Sequence, residues 1–441
     1  MLGFDSELYG AAFADTEVAD LFSDGAELRA MIRVERALAR VQGGLGLIPA
    51  AAAGAIDRTL GELTPAPAAL AAACRKDGVV VPALVKQLRA ALPEHAASHL
   101  HWGATSQDIV DTALVLRLGS ACDRLEQLLA TLGDALADLA EREMDTVMVA
   151  RTRAQWAVPT LGGLKVANWL APLARQRQRL QQLRPRLLVL QFGGAAGTLA
   201  ALGDRGPAVS AALAAELGLA LPPAPWHTQR DSLIEQGNWL AMTCGALGKM
   251  GQDLILLTQS DVGEIKLRGS GGSSTMPQKA NPVSPEHLVA LARHSAGLLA
   301  NLHSATIHAN ERDGAAWTLE WLNLPQLVCA TSGALTRAAE TVAALTFDRA
   351  RIQANLETCR DDIMAEALVF ALAEHSDRNS AQQLVARARE LAGQKGLPLV
   401  EQLRSLTELP LDWEHLAQPQ CYLGAARHFI RATLDYWRTM A

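Results

Sequence analysis

Residues 108–145 read DIVDTALVLRLGSACDRLEQLLATLGDALADLAEREMD, and this stretch decides the fold class. Its Leu, Ile and Val positions recur at intervals of three and four with Arg, Asp and Glu between them, which is the period of an α-helix with one buried face. No proline lies between Pro93 and Pro159, and proline is the residue that most reliably stops a helix. Thr105 or Ser106 supplies an N-cap, and Asp108 and Asp111 fall in the first turn, where the helix dipole favours carboxylates. A helix of roughly 38 residues spans about 57 Å at 1.5 Å per residue.

Outward from this segment the pattern repeats. Residues 161–190, 232–263 and 287–346 carry the same helical period, and long proline-free gaps run from Pro225 to Pro277, Pro285 to Pro325 and Pro325 to Pro398. No stretch of comparable length alternates as a strand would. The Pro- and Gly-rich segment from Gly203 to Pro225 reads as an excursion between two long helices, and the last hundred residues as shorter, more broken helices. The expectation is an all-α fold with an N-terminal helical domain over residues 1–107, a central long-helix bundle over 108–345 and a C-terminal helical domain over 346–441. Helices of this length are hard to bury within one subunit, so bundles from several subunits are expected to pack together.

The 441 residues suffice for two or three domains, and the apolar share of 49% with 20% charged residues is that of a globular protein. A net charge of −6 gives no reason to expect nucleic acid or an anionic membrane as partner. An anionic substrate must instead be met by a local cluster of cations. No apolar run approaches the ~18 residues of a membrane helix. The opening MLGFDSELYG lacks a basic segment followed by an apolar one, so no secretory signal is read and a cytoplasmic location is expected. Cys74, Cys122, Cys244, Cys329, Cys359 and Cys421 are far apart and form no CxxC pair, which points to buried, reduced thiols rather than a zinc site or a disulfide framework.

The densest chemistry lies between two helical segments, at Arg268 to Pro282, RGSGGSSTMPQKANP. Glycine frees backbone N–H groups to line an anion-binding concavity, and the serines and Lys279 add donors and charge. The GxxxxGK[ST] spacing of a phosphate loop is missing. Gly/Ser content alone is also what a flexible linker shows, but a plain linker has no need of Met276-Pro277-Gln278-Lys279 in its middle. Residues 272–282, GSSTMPQKANP, resemble the GSSxMPxKxNP signature of the fumarase/aspartase superfamily. That resemblance implies a mobile loop that closes over the substrate, with Ser273 as the base at carbon and with Lys279 and Asn281 on a substrate carboxylate. A serine reaches that role only if loop N–H groups and a nearby cation stabilise its alkoxide in a dry site.

Three further segments extend the resemblance. HWGATSQDIVD at 101–111 is similar to the superfamily's HxGxTSxD. On residue types alone Thr105 and Ser106 are a plain N-cap; the family pattern makes them anion holders at a helix N-terminus. His101 reads equally as a ligand contact or as a hydrogen-bonded residue shaping the turn. RTRAQWAVPT at 151–160 resembles THxQxAxP through Thr152, Gln155, Ala157 and Pro159, but Arg153 stands where the elimination enzymes have a histidine of the general-acid machinery. Arginine cannot give up its proton near neutral pH. It can bind a carboxylate in bidentate fashion, though a solvated surface arginine is the plainer alternative. NERDGAAWTLEW at 310–321 resembles a substrate-binding stretch of adenylosuccinate lyases and makes Arg312 a carboxylate candidate. The serines and second arginine that grip phosphate there are replaced by Ala315 and Trp321, so that phosphate-binding site is not expected. His227, before a helix, could approach the site or be structural.

Within the superfamily, stretches along nearly the whole chain are similar to bacterial 3-carboxy-cis,cis-muconate cycloisomerases. This resemblance implies an intramolecular carboxylate addition closing a γ-lactone, in the protocatechuate branch of aromatic catabolism. It also implies a site with no metal and no organic cofactor, and a homotetramer whose active sites are shared between subunits. Ser273 and Lys279 would carry the chemistry, and His101, Thr105, Ser106, Arg153, Gln155, Ser274, Asn281 and Arg312 would hold a small polycarboxylate. The alternative is an adenylosuccinate-lyase-like or other substituted-succinate lyase that releases fumarate or a related alkene diacid; a non-catalytic descendant of the fold is disfavoured by the presence of Ser273, Lys279 and Asn281.

Overall fold

In the computed structural model, residue 4 and residues 6–269, 271–272, 275–277 and 279–440 are described. Two short helices, α1 (Gly10–Phe13) and α2 (Thr16–Leu21), open the chain, and α3 (Asp24–Gly44), α4 (Ala50–Glu62), α5 (Pro67–Asp77), α6 (Val81–Ala91) and the single turn α7 (Glu94–Ala97) follow. The periodic stretch is one helix, α8 (Ser106–Arg142), whose 37 residues span about 56 Å. Then come β1 (Val147–Thr152), β2 (Gln155–Leu161), α9 (Gly162–Leu187), α10 (Gly206–Leu217), α11 (Asp231–Thr258) and β3 (Ile265–Leu267). The signature loop holds two short paired strands, β4 (Gly271–Gly272) and β5 (Ala280–Asn281). The chain ends with α12 (Val283–Ser304), α13 (Gly314–Ala344), β6 (Leu345–Phe347), α14 (Arg349–Ala373), α15 (Arg378–Lys395), α16 (Leu399–Arg404), α17 (Trp413–Leu416) and α18 (Ala426–Arg438). Helix accounts for 70% of the chain, which puts the protein in the all-α class that the periodicity implies. Among the described residues no helix is long and apolar enough to cross a membrane.

Three local readings change. The periodic run 287–346 is two helices, α12 and α13, separated by a turn in which Asn310 takes a left-handed backbone at φ 53°; asparagine tolerates that region and needs no proline to stop a helix. Pro325 lies inside α13 rather than ending it. The 203–225 excursion contains a helix of its own, α10, closed by Gly218 at φ 71°. Strand structure is also present, in short pieces: β1 and β2 form an antiparallel hairpin. Of the six cysteines, Cys122, Cys244, Cys329 and Cys359 are buried and Cys74 and Cys421 half-buried, all as free thiols; burial pushes the Cys122 thiol up to about 12.

The chain forms two compact units. The first comprises Met1–Leu129, Gln176–Gly248 and His287–Arg337. Its core gathers Met31, Leu38, Ile56, Leu84, Leu100 and Ile109, each at most 1% exposed, and each such side chain contributes about 1.5–3 kcal/mol of transfer free energy. In the same unit α11 crosses α12 at Gly248, where a Cβ would overlap that of Ala292.

The second unit comprises Ala130–Arg175, Lys249–Glu286 and Ala338–Ala441. Leu368 and Leu372 of α14 pack there with Val385 of α15 and Leu399 and Leu403 of α16. The β1–β2 hairpin lies against α14, and β3 pairs antiparallel with β6. The C-terminal helix α18 buries Trp437, whose indole N–H donates to the Asp134 carboxylate at 2.8 Å. Gly133, one residue earlier, has no side chain because the Trp437 ring fills the space a Cβ would need.

Candidate active site

In the first unit α8 begins at Ser106, yet the Thr105 hydroxyl is not used as its cap. Thr105 Oγ1 accepts from the Arg312 guanidinium NH1 at 2.7 Å, and Gln107 Oε1 accepts from Arg312 Nε at 3.2 Å. Two of the expected residues, 207 positions apart in sequence, are thus in direct contact. Ser106 is half-buried as the first residue of α8.

Behind this pair lies a buried ionic network. Gln107 Nε2 donates to Asp111 Oδ2 at 3.2 Å and to the His227 carbonyl at 2.9 Å. Asp111, on the same helix face four residues on, accepts from Arg230 NH1 at 2.6 Å and from the Trp317 indole at 2.9 Å. Arg230 also donates to Glu320 at 2.6 and 2.8 Å and lies over the Trp226 ring. The three charged side chains are 0 to 1% exposed. Burial works against the Arg230 cation, but the Asp111 and Glu320 charges and hydrogen bonds outweigh it and hold its pKa above the ordinary value. His308 Nε2 lies 3.6 Å from Glu320 at the edge of the network.

Asp108 serves the backbone rather than the helix dipole alone. Its carboxylate accepts the N–H groups of Thr105, Gly193 and Gly194 at 2.9–3.0 Å. It also meets His227 Nε2 at 2.9 Å. His227 is thus buried against Asp108, at 4% exposure.

His101 takes a left-handed backbone at φ 63° and meets Glu35 Oε1 through Nδ1 at 2.6 Å. Burial disfavours its charged form; the charge and hydrogen bond of Glu35, with a smaller share from Asp108, outweigh burial and raise the His101 pKa. Glu35 therefore fixes the ring and holds a proton on it, and among the described residues no hydrogen bond engages Nε2.

In the second unit the expected residues sit on the hairpin and the signature loop. Arg153 and Ala154 are the two turn residues between Thr152 and Gln155, which pair in register, and both have positive φ, 52° and 65°. This is the geometry of a type I′ turn, in which Asn-Gly is the relaxed choice; two L side chains are held there against their preference. Arg153, Gln155 and the large apolar Trp156 are exposed. Two residues before the turn, Arg151 donates in bidentate fashion to Glu264 at 2.8 and 2.9 Å. Glu264 is fully buried and also accepts from Asn355. The hairpin is therefore tied to the residue that leads into β3 and the signature loop. Nearby Lys165 is held below the ordinary lysine pKa by burial, which outweighs Asp253 and Glu264. In the loop, Lys279 is exposed, its N–H donating to the Met276 carbonyl at 3.0 Å, and Asn281 pairs with Gly271. Ser273 and Ser274 lie outside the described residues.

Residues 7–297 match the model of a family described as lyase. The chain belongs to this lyase family, within the fumarase/aspartase superfamily. Over 440 residues it is 43% identical to 3-carboxy-cis,cis-muconate cycloisomerase of Pseudomonas aeruginosa, covering 97% of this chain and 96% of that one. The protein of that name from Bradyrhizobium diazoefficiens is also 43% identical, over 93% of this chain and 94% of its own length. The solved 3-carboxy-cis,cis-muconate lactonizing enzyme from Pseudomonas putida superposes with a TM-score of 0.92 at 38% identity, covering 99% of this chain and all of that one.

Sequence reasoning passed over Glu35, Gln107, Arg151, Arg230, Glu264 and Glu320, and read Asp111 only as a dipole-compensating carboxylate. One signal was available: Gln107 and Asp111 stand four apart at the start of α8, on one helix face. For Arg230 and Glu320, brought together from 90 positions apart, no local pattern exists.

Proposed function

We propose that this lyase-family enzyme is a 3-carboxy-cis,cis-muconate cycloisomerase. The observation that carries the reading is similarity along the whole chain to proteins of that name, at 43% identity over 97% of its length. One carboxylate of the substrate attacks a conjugated double bond. A C–O bond forms and closes the γ-lactone, the π electrons move to the carbon beside a neighbouring carboxyl, and a proton is added at that carbon. No atom is lost, so the product is an isomer, 4-carboxymuconolactone. The transition state places negative charge on an enediolate, and fixed cations and N–H donors stabilise it more than the substrate.

In this assignment Ser273 exchanges the proton at carbon and Lys279 meets the substrate carboxylate beside it. Arg312, Thr105, Ser106, His101, Arg153, Gln155, Ser274 and Asn281 hold carboxylates. The geometry supports the carboxylate roles on three counts. Thr105 and Arg312 are in contact at a helix N-terminus, whose dipole favours anions. Glu35 biases His101 toward its cation. Arg153 is presented at the tip of the β1–β2 turn. A polycarboxylate matches a site built of several cations, and an arginine in place of the acid histidine suits a reaction with no leaving group to protonate. The enzyme acts as a homotetramer in the cytoplasm, with active sites shared between subunits.

The test is Ser273→Ala with 3-carboxy-cis,cis-muconate. Turnover falls by at least about 10² while calorimetric binding of the substrate stays within about threefold, and the wild-type product has the mass of the substrate. A variant with wild-type turnover removes Ser273 from the chemistry; fumarate release from substituted succinates, with no lactone formed, moves the enzyme to the lyase reading.

A further inference from the structure

We infer that Gln107 is a positioning residue, which aims the Arg312 guanidinium at a substrate carboxylate; the inference rests on the carboxylate-binding role proposed for Arg312. An amide side chain can ordinarily be turned over, exchanging its donor and acceptor ends. Here it cannot. Gln107 is 1% exposed, and its NH2 group donates to Asp111 Oδ2 and to the His227 carbonyl. Neither of those oxygens can donate, so Oε1 is forced to face Arg312 Nε as an acceptor. Asp111 is itself fixed by Arg230 and Trp317, so the amide is set by a rigid, buried framework.

The effect on Arg312 is directional. Guanidinium offers five N–H donors in a planar fork. Gln107 takes the Nε donor and Thr105 takes one on NH1. Among the described residues no hydrogen bond engages NH2. The fork is pinned on one side and free on the other, and its charge is left intact because both pinning groups are neutral. A carboxylate at position 107 would neutralise Arg312 and repel Asp111. The charged and titratable groups around the position are Asp108 and Asp111 of α8, His227 and Arg230 from the segment before α11, and Arg312 and Glu320 at α13.

Two variants test this, with 3-carboxy-cis,cis-muconate for turnover and propane-1,2,3-tricarboxylate as an unreactive calorimetric probe. Gln107→Leu raises KM and the probe Kd about tenfold, the scale of one hydrogen bond to a charged group, with kcat within about threefold. Gln107→Glu shows a KM ratio to wild type that is large near pH 8 and falls as pH drops through the pKa of the introduced carboxyl, which burial and the facing Asp111 raise, because a protonated Glu donates to Asp111 and accepts from Arg312 and loses only the bond to the His227 carbonyl. A merely structural role would not produce that pH-dependent rescue. A flat ratio in Gln107→Glu together with unchanged probe affinity in Gln107→Leu overturns the inference. If Gln107→Leu fails to fold, the Gln107→Glu pH profile decides alone. Wild-type turnover tests the cycloisomerase reading separately, and the probe affinities report on Gln107 whatever that result.

Discussion

Replacing Arg230 by methionine removes a buried cation and leaves two carboxylates facing each other. The Asp111 and Glu320 side chains are 0% and 1% exposed, so water does not reach them to repair the loss. Arg230 supplies both with hydrogen bonds of 2.6–3.2 Å, and methionine supplies none. Breaking one buried ion pair from one side costs about 3–5 kcal/mol, and here a single change takes the cation from two anions, Asp111 keeping only its Gln107 and Trp317 donors, so the cost lies toward the upper end. For a chain of 441 residues melting with about 2.1 cal/mol/K per residue, the entropy of melting is roughly 0.9 kcal/mol/K, and 5 kcal/mol lowers Tm by about 5 °C. The assay is thermal melting by circular dichroism at neutral pH and fixed protein concentration. Adding Asp111→Leu and Glu320→Leu should restore part of the loss, because a neutral, filled cavity carries no unpaired charge. A single variant within about 1 °C of wild type, or a triple variant that melts far lower still, refutes the view that this network is a stabilised buried ion cluster.

Three more outcomes follow from the same geometry. Because the His101 pKa lies above its unfolded value of 6.5, the stabilisation from Glu35 is fully present below about pH 6.5 and lost as pH rises through the folded value; the Tm gap between wild type and Glu35→Gln should therefore be widest in acid and close in base. Gly133→Ala forces a methyl into the Trp437 ring and should cost about 1–3 kcal/mol, read as a lower Tm with a change in tryptophan emission. Arg153→Ala removes an exposed turn residue, so KM should rise about tenfold, the scale of a charge-assisted bond, with Tm essentially unchanged.

The long helices were legible because their signal is local: α8 needs only a repeating apolar period and the absence of proline over 106–142, and both are written in the chain. Breaks made by backbone torsion were not. Asn310 turns the chain between α12 and α13 with no proline to announce it, and the β1–β2 hairpin hides because its turn is Arg153-Ala154 rather than Asn-Gly. In the candidate site, Thr105 and Arg312 were each legible through motifs, but their contact was not, since it depends on how elements 207 residues apart fold together. Asp108 and Asp111 read as first-turn, dipole-compensating carboxylates; the structure buries both and places only Asp108 in the first turn of α8. A helix period identifies the inward face; it does not say that charged side chains on that face will be fully paired.

The measurement that tests the central claim most directly is the ultraviolet absorbance of 3-carboxy-cis,cis-muconate incubated with the purified enzyme. The account predicts rapid loss of the conjugated-diene band, with appearance of a product of unchanged mass, and loss of that activity in Ser273→Ala. A diene band that persists at enzyme concentrations sufficient for any lyase-family turnover would contradict it.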